Sequence, residues 1–106
     1  MLFSRTQSIS PADAATRMRE GELVVIDVRE PGELRAGRIK GARNIPLGQL
    51  PGRIGELPGG KTVAFICQSG ARSARATRAA AKAGRNAVNV SGGVVGWSRA
   101  GLPLTR

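Results

Sequence analysis

The chain has 106 residues, 41% hydrophobic and only 3% aromatic, with 17 Lys plus Arg against seven acids for a formal charge of +10. That length suits one compact domain with a core of Val, Ile, Leu and Ala. With no histidine and one cysteine, Ser/His/Asp and Cys/His catalysis is excluded outright, and zinc and iron–sulfur sites nearly so.

The apolar runs fall far short of the roughly 20 residues a membrane helix needs, and residues 1–7 are too short for a signal peptide. One cysteine cannot close an internal disulfide. The expectation is a soluble, cytoplasmic domain, free-standing or cut from a larger fusion, needing no metal or other cofactor. The surplus charge attracts anions. No stacked-aromatic pattern or basic tail accompanies it, so neither nucleic acid nor membrane is expected as a partner.

Residues 1–6 are expected to form a short tail before the domain of residues 7–106. Ser10, Pro11 and Asp13 suit the cap, first position and positive end of a helix that runs to about Arg19. Residues 23–28 (Leu-Val-Val-Ile-Asp-Val) predict a buried strand. Glu30-Pro31-Gly32-Glu33 breaks it, with a short helical turn through Ala36, and residues 43–46 are brief and extended. Residues 47–57 predict a short helix or two turns, confined by Pro51 and Pro58. Residues 62–66 form a second buried strand, residues 71–83 the clearest helix, and Gly84 closes it. Residues 86–90 form a third strand, and residues 94–100 a last short helix. Strands interleaved with helices predict an α/β fold of three layers, α/β/α, around a central parallel sheet.

In such sheets ligands sit beyond the carboxyl ends of the strands, which is where Cys67 stands. The text after it is Gln68-Ser69-Gly70-Ala71-Arg72-Ser73. A thiol in front of a helix start meets orphan N–H groups and the positive end of the dipole, both favouring the thiolate. Gly70 allows a turn that points amides inward. Arg72 offers a guanidinium fork suited to an oxyanion. Ser69 and Ser73 offer hydroxyl donors, or Ser73 caps the helix. An ionised thiol needs no general base. Two more features are candidates: Asp27 and Arg29 as an ion pair bracing the loop, and Arg75 and Arg78 as either a wider basic rim or a solvated helix face. A lone Trp97 in an apolar segment is expected in the core rather than at the pocket mouth.

These residues resemble the single-domain rhodaneses, the thiosulfate sulfurtransferase family, over nearly the whole chain. The segment from Asp27-Val28-Arg29-Glu30-Pro31-Gly32-Glu33-Leu34 to Ala42-Arg43-Asn44-Ile45-Pro46-Leu47 is similar to the family's first signature. Cys67 to Ser73 is similar to its active loop, and Gly92-Gly93-Val94-Val95-Gly96-Trp97 to its C-terminal signature. The resemblance implies a rhodanese-like fold and a catalytic Cys67 that takes a sulfane sulfur from a small anionic donor such as thiosulfate. The persulfide so formed passes its outer sulfur to cyanide, a thiol or a protein. It implies that the loop from Gln68 through Ser69, Gly70, Ala71, Arg72 and Ser73 binds the donor and holds the persulfide. Arg38 stands where that signature usually has histidine and is read as a structural or surface position.

Three rivals remain open at the level of sequence. Cysteine phosphatases and arsenate reductases resemble Cys, five residues, then Arg; here four residues separate Cys67 from Arg72, a cradle better matched to sulfur than to phosphoryl. A non-catalytic module of the same fold and a persulfide carrier serving one protein partner are the others.

Overall fold

The computed structural model describes residues 6–106, so most of the expected tail lies outside the described residues. Five strands, β1 (Ser8–Ile9), β2 (Leu23–Asp27), β3 (Arg43–Asn44), β4 (Thr62–Ile66) and β5 (Ala87–Val90), form one sheet in the order β1-β5-β4-β2-β3. Every pairing is parallel. The helices are α1 (Pro11–Arg19), α2 (Leu50–Arg53), α3 (Ala71–Lys82) and α4 (Gly93–Arg99). Short 3₁₀ segments cover Pro31–Ala36, Leu47–Gln49 and Ile54–Glu56.

The α1 start follows from its sequence: the Ser10 side chain accepts from the Asp13 N–H at 3.1 Å, and Pro11 occupies the first turn. Three clear strands were expected and a sheet of five is found. The strand most at odds with expectation is β1, whose two residues pair with β5 (Ser8 on Asn89, Ile9 on Val90) while Ile9 packs on the core. The expected 47–57 helix is a succession of short turns around α2, because Pro51, Gly52 and Gly55 favour no continuous helix.

Period-2 alternation splits the interior into two layers. Leu23, Val25, Ala64, Ile66, Val88 and Val90 meet Ala14 and Ala15 of α1 and Val94 and Trp97 of α4. Ile26, Val28, Val63, Phe65 and Ala87 meet Leu50 of α2 and Ala76 and Ala80 of α3. This is the expected three-layer α/β/α arrangement. The small alanines on α3 set it close to the sheet and so bring its first turn over the end of β4.

Candidate active site

Sheet alternation aims Cys67. It follows β4 on the face of Val63 and Phe65, so its side chain joins the layer beneath α3, with only 1% of the residue exposed. The chain then turns through Gln68 and Ser69, both exposed, to Gly70, whose φ of 119° disfavours any residue with a Cβ. That turn brings the Gly70 N–H to 3.1 Å from Sγ. Ser73, buried one turn into α3, sets its hydroxyl 3.3 Å from Sγ and 3.2 Å from the Gly70 carbonyl. Ser73 therefore faces the sulfur; the N-cap position is held by Gly70, with no side-chain cap.

Burial pushes the Cys67 thiol up, but the Ser73 hydroxyl and the Ser73, Gly70 and Ser69 amides outweigh it and hold the thiol below its ordinary value. Among the described residues no bond to Sγ comes from Gln68, Ala71 or Arg72. The cradle around the sulfur is thus narrower than the whole loop.

The loop is held from behind. At the start of α4 the Val94 N–H donates to the Cys67 carbonyl at 2.8 Å and the Val95 N–H to the Gln68 carbonyl at 3.1 Å. With the Gln68 carbonyl drawn back, the Ser69 amide of the same peptide unit is free to turn toward sulfur. Gly93 makes this possible: a Cβ there would lie 2.5 Å from each of those two oxygens. Sequence reading saw Gly92-Gly93 only as a turn within a signature; the contact that requires glycine is tertiary.

Arg29 braces the loop from the side. Its Nη2 donates to Asp27 at 2.9 Å and to the Gly37 carbonyl at 3.0 Å, and its Nη1 to the Glu33 carbonyl at 3.3 Å and to Gln68 Oε1 at 3.4 Å. Both charges are almost fully buried, with side chains 2% and 3% exposed for Arg29 and Asp27. Four partner residues satisfy what would otherwise be a costly buried ion.

Arg72 departs from expectation. A guanidinium open to an incoming anion was anticipated; instead both outer nitrogens grip Glu33, at 2.7 and 2.8 Å. A carboxylate matches the planar fork, and Glu33 lies 39 residues upstream, beyond any local pattern. The Arg72 hydrogen bond, helped by the Glu30 amide, lowers the Glu33 carboxyl to about 2, and the pairing in turn raises Arg72.

The remaining candidates fall outside the cradle. Trp97 is core, 2% exposed, with its indole N–H on the Pro103 carbonyl at 3.2 Å. Arg38 has an exposed side chain and a backbone bridge to Thr105. Arg75 and Arg78 are exposed on α3. A cleft of ≈ 380 Å³ touches Gln68, Val94, Val95 and Leu104. It opens on the α1/α4 side, and the Cys67 side chain faces the other.

Residues 10–100 match the family model described as "Rhodanese-like domain". The chain is 36% identical over 84 residues to a "Sulfurtransferase" of Allochromatium vinosum, covering 78% of each. It is 35% identical over 106 residues to an "HTH-type transcriptional regulator" of Mycobacterium tuberculosis, covering 98% of this chain and 47% of the regulator. The chain thus spans about half the length of that relative. Among solved structures, a rhodanese-related protein from Thermoplasma volcanium superposes with a TM-score of 0.87 at 37% identity, covering 93% of this chain and 97% of the other.

Proposed function

The chain belongs to the rhodanese-like domain family, and on that premise we propose that it is a sulfurtransferase working through a persulfide on Cys67. The observation that carries this reading is the sulfur itself: an acidified thiol at a strand end, with the Gly70 amide at 3.1 Å and the Ser73 hydroxyl at 3.3 Å. The sulfurtransferase relative supports it.

In the first half-reaction the Cys67 thiolate attacks the sulfane sulfur of a donor such as thiosulfate. A bond forms between Sγ and that sulfur, the donor's S–S bond breaks, and sulfite leaves with the electron pair. The outer sulfur of the persulfide now carries the negative charge, and donors already turned inward along the loop can follow it. In the second half-reaction an acceptor thiolate or cyanide attacks the outer sulfur. The Sγ–S bond breaks and its electron pair restores the Cys67 thiolate. Two separate half-reactions predict ping-pong kinetics.

Among the loop residues, Gly70, Ser73 and Ser69 hold the charged sulfur, while Gln68 and Ala71 shape the turn. Arg72 acts as a positioning residue: paired with Glu33, it ties the Pro31–Ala36 turn to the first turn of α3. It also places a cation near the thiolate without offering a free fork to the donor.

Incubation with thiosulfate should add one sulfur to Cys67, roughly +32 Da by intact-mass spectrometry. Cys67→Ser should fold normally and gain nothing. An unchanged mass in wild-type protein whose thiol still titrates would refute the reading.

A further inference from the structure

The α3 helix carries Arg72, Arg75, Arg78 and Lys82 and not one acid. Spacings of three, three and four residues place them along one stripe, roughly 15 Å long at 1.5 Å per residue. Past the helix end the stripe continues in Arg85. Arg72 is neutralised by Glu33, but none of the other four appears in an ion pair among the described residues. All seven acidic side chains of the chain lie within those residues, and none of them pairs with Arg75, Arg78, Lys82 or Arg85. At its far end Arg78, Lys82 and Arg85 border a cavity of ≈ 790 Å³ with Thr77 and Asn86, and the buried Nε of Arg85 has no hydrogen-bond partner.

Helix stability does not explain this arrangement. Like charges at three- and four-residue spacing repel, and cations in the first half of a helix oppose its dipole. A solvated helix face of ordinary design mixes signs; this one is single-signed and starts beside the reactive sulfur.

We infer that the Arg75–Arg78–Lys82 stripe, with Arg85, is a docking surface for an acidic protein that accepts sulfur from Cys67. A partner gripped along α3 would lie against the helix whose first turn covers the thiol, so its acceptor group would reach the loop from the stripe's near end. A protein is favoured over nucleic acid because Phe65 and Trp97 are buried, leaving no described aromatic to stack on bases. The partner's role as acceptor rests on the persulfide reading; the docking does not.

The probe is a fluorescein-labelled, Glu-rich peptide bearing one cysteine, with its Glu→Gln counterpart as reference. Binding is read by anisotropy on the Cys67→Ser protein, so failure of persulfide chemistry leaves this measurement intact. The acidic peptide should bind and the Gln peptide should not, with affinity falling as salt rises through about 0.15 M. Arg78→Glu with Lys82→Glu should weaken it by about tenfold or more, and the milder Arg78→Gln with Lys82→Gln by less. The control is Arg38→Glu with Lys40→Glu, an equal charge change at exposed positions outside α3, expected to shift affinity by less than about threefold. An equal loss in the control would mean net charge alone attracts the peptide and would overturn the assignment. So would equal binding of the Gln peptide, or a short DNA duplex that displaces the acidic peptide at lower concentration.

Discussion

Two glycine-led helix starts flank the same loop and do opposite things to it. Gly70 precedes α3 at φ 119°, and Gly92 and Gly93 open α4 at φ 76° and 63°. At α3 the turn delivers the Gly70 N–H inward to Sγ, at 3.1 Å. At α4 the first amides reach outward and seize the Cys67 and Gln68 carbonyls. The lesson lies in the division of labour. A peptide unit has two polar ends, and one can be aimed at a reactive sulfur only if the other is satisfied elsewhere. The α4 start satisfies the Gln68 oxygen, whose peptide partner is the Ser69 N–H that acts on the sulfur, while the α3 start aims the Gly70 N–H of the next peptide.

Substituting the two glycines separates these roles, because their surroundings differ. At Gly93 a Cβ would sit 2.5 Å from both loop oxygens, which are backbone and already hydrogen-bonded. Gly93→Ala should cost roughly 4 kcal/mol or more, since strain at positive φ adds to a backbone clash. At Gly70 the nearest atom to a Cβ is the Gly92 nitrogen, at 3.8 Å. Gly70→Ala should cost only the backbone term, about 1–3 kcal/mol, and should keep a folded protein. Urea midpoints of the two variants test this. Equal losses would mean that the α4 contact is no tighter than the α3 turn, and the comparison would collapse.

How much of this was legible in sequence follows the range of each interaction. Residues 62–66 and 71–83 declare strand and helix because their signals are local: an apolar run, then alanine-rich text closed by Gly84. The Cys67 loop was legible for the same reason, with thiol, glycine and helix start inside one window. Asp27 and Arg29 were read as a brace because a strand end with alternating charge is itself local, and the structure places that ion pair against Gln68. What escaped is what depends on folding. Two-residue β1 has no period to detect and exists through its register on β5. Glu33 claims Arg72 across 39 residues, so the fork expected to face an anionic donor is paired with a carboxylate that no local pattern announces. Gly93 looked like a turn residue until its neighbours were two carbonyls.

The smallest expected effect bears on the hydrogen-donating side of the comparison alone. Ser73→Ala removes the hydroxyl 3.3 Å from Sγ. It disturbs little else, because the Gly70 carbonyl it also approaches is still held by the Ala74 N–H at 3.0 Å. The Cys67 thiol is held below its ordinary value in the folded protein. Its ionised form therefore stabilises the fold above the unfolded thiol value, and this stabilisation is lost as pH falls through the folded value. Losing one hydrogen bond to a charged sulfur should move the folded titration up, toward that of a free cysteine. Thiolate absorbance in the ultraviolet reads this without requiring reagent access to a buried atom. Ser69→Ala, which removes an exposed side chain and leaves the Ser69 amide in place, should leave the midpoint where it is. If Ser73→Ala also leaves it unmoved, the amides alone set the thiol's acidity, and the α3 start contributes through its backbone turn and nothing more.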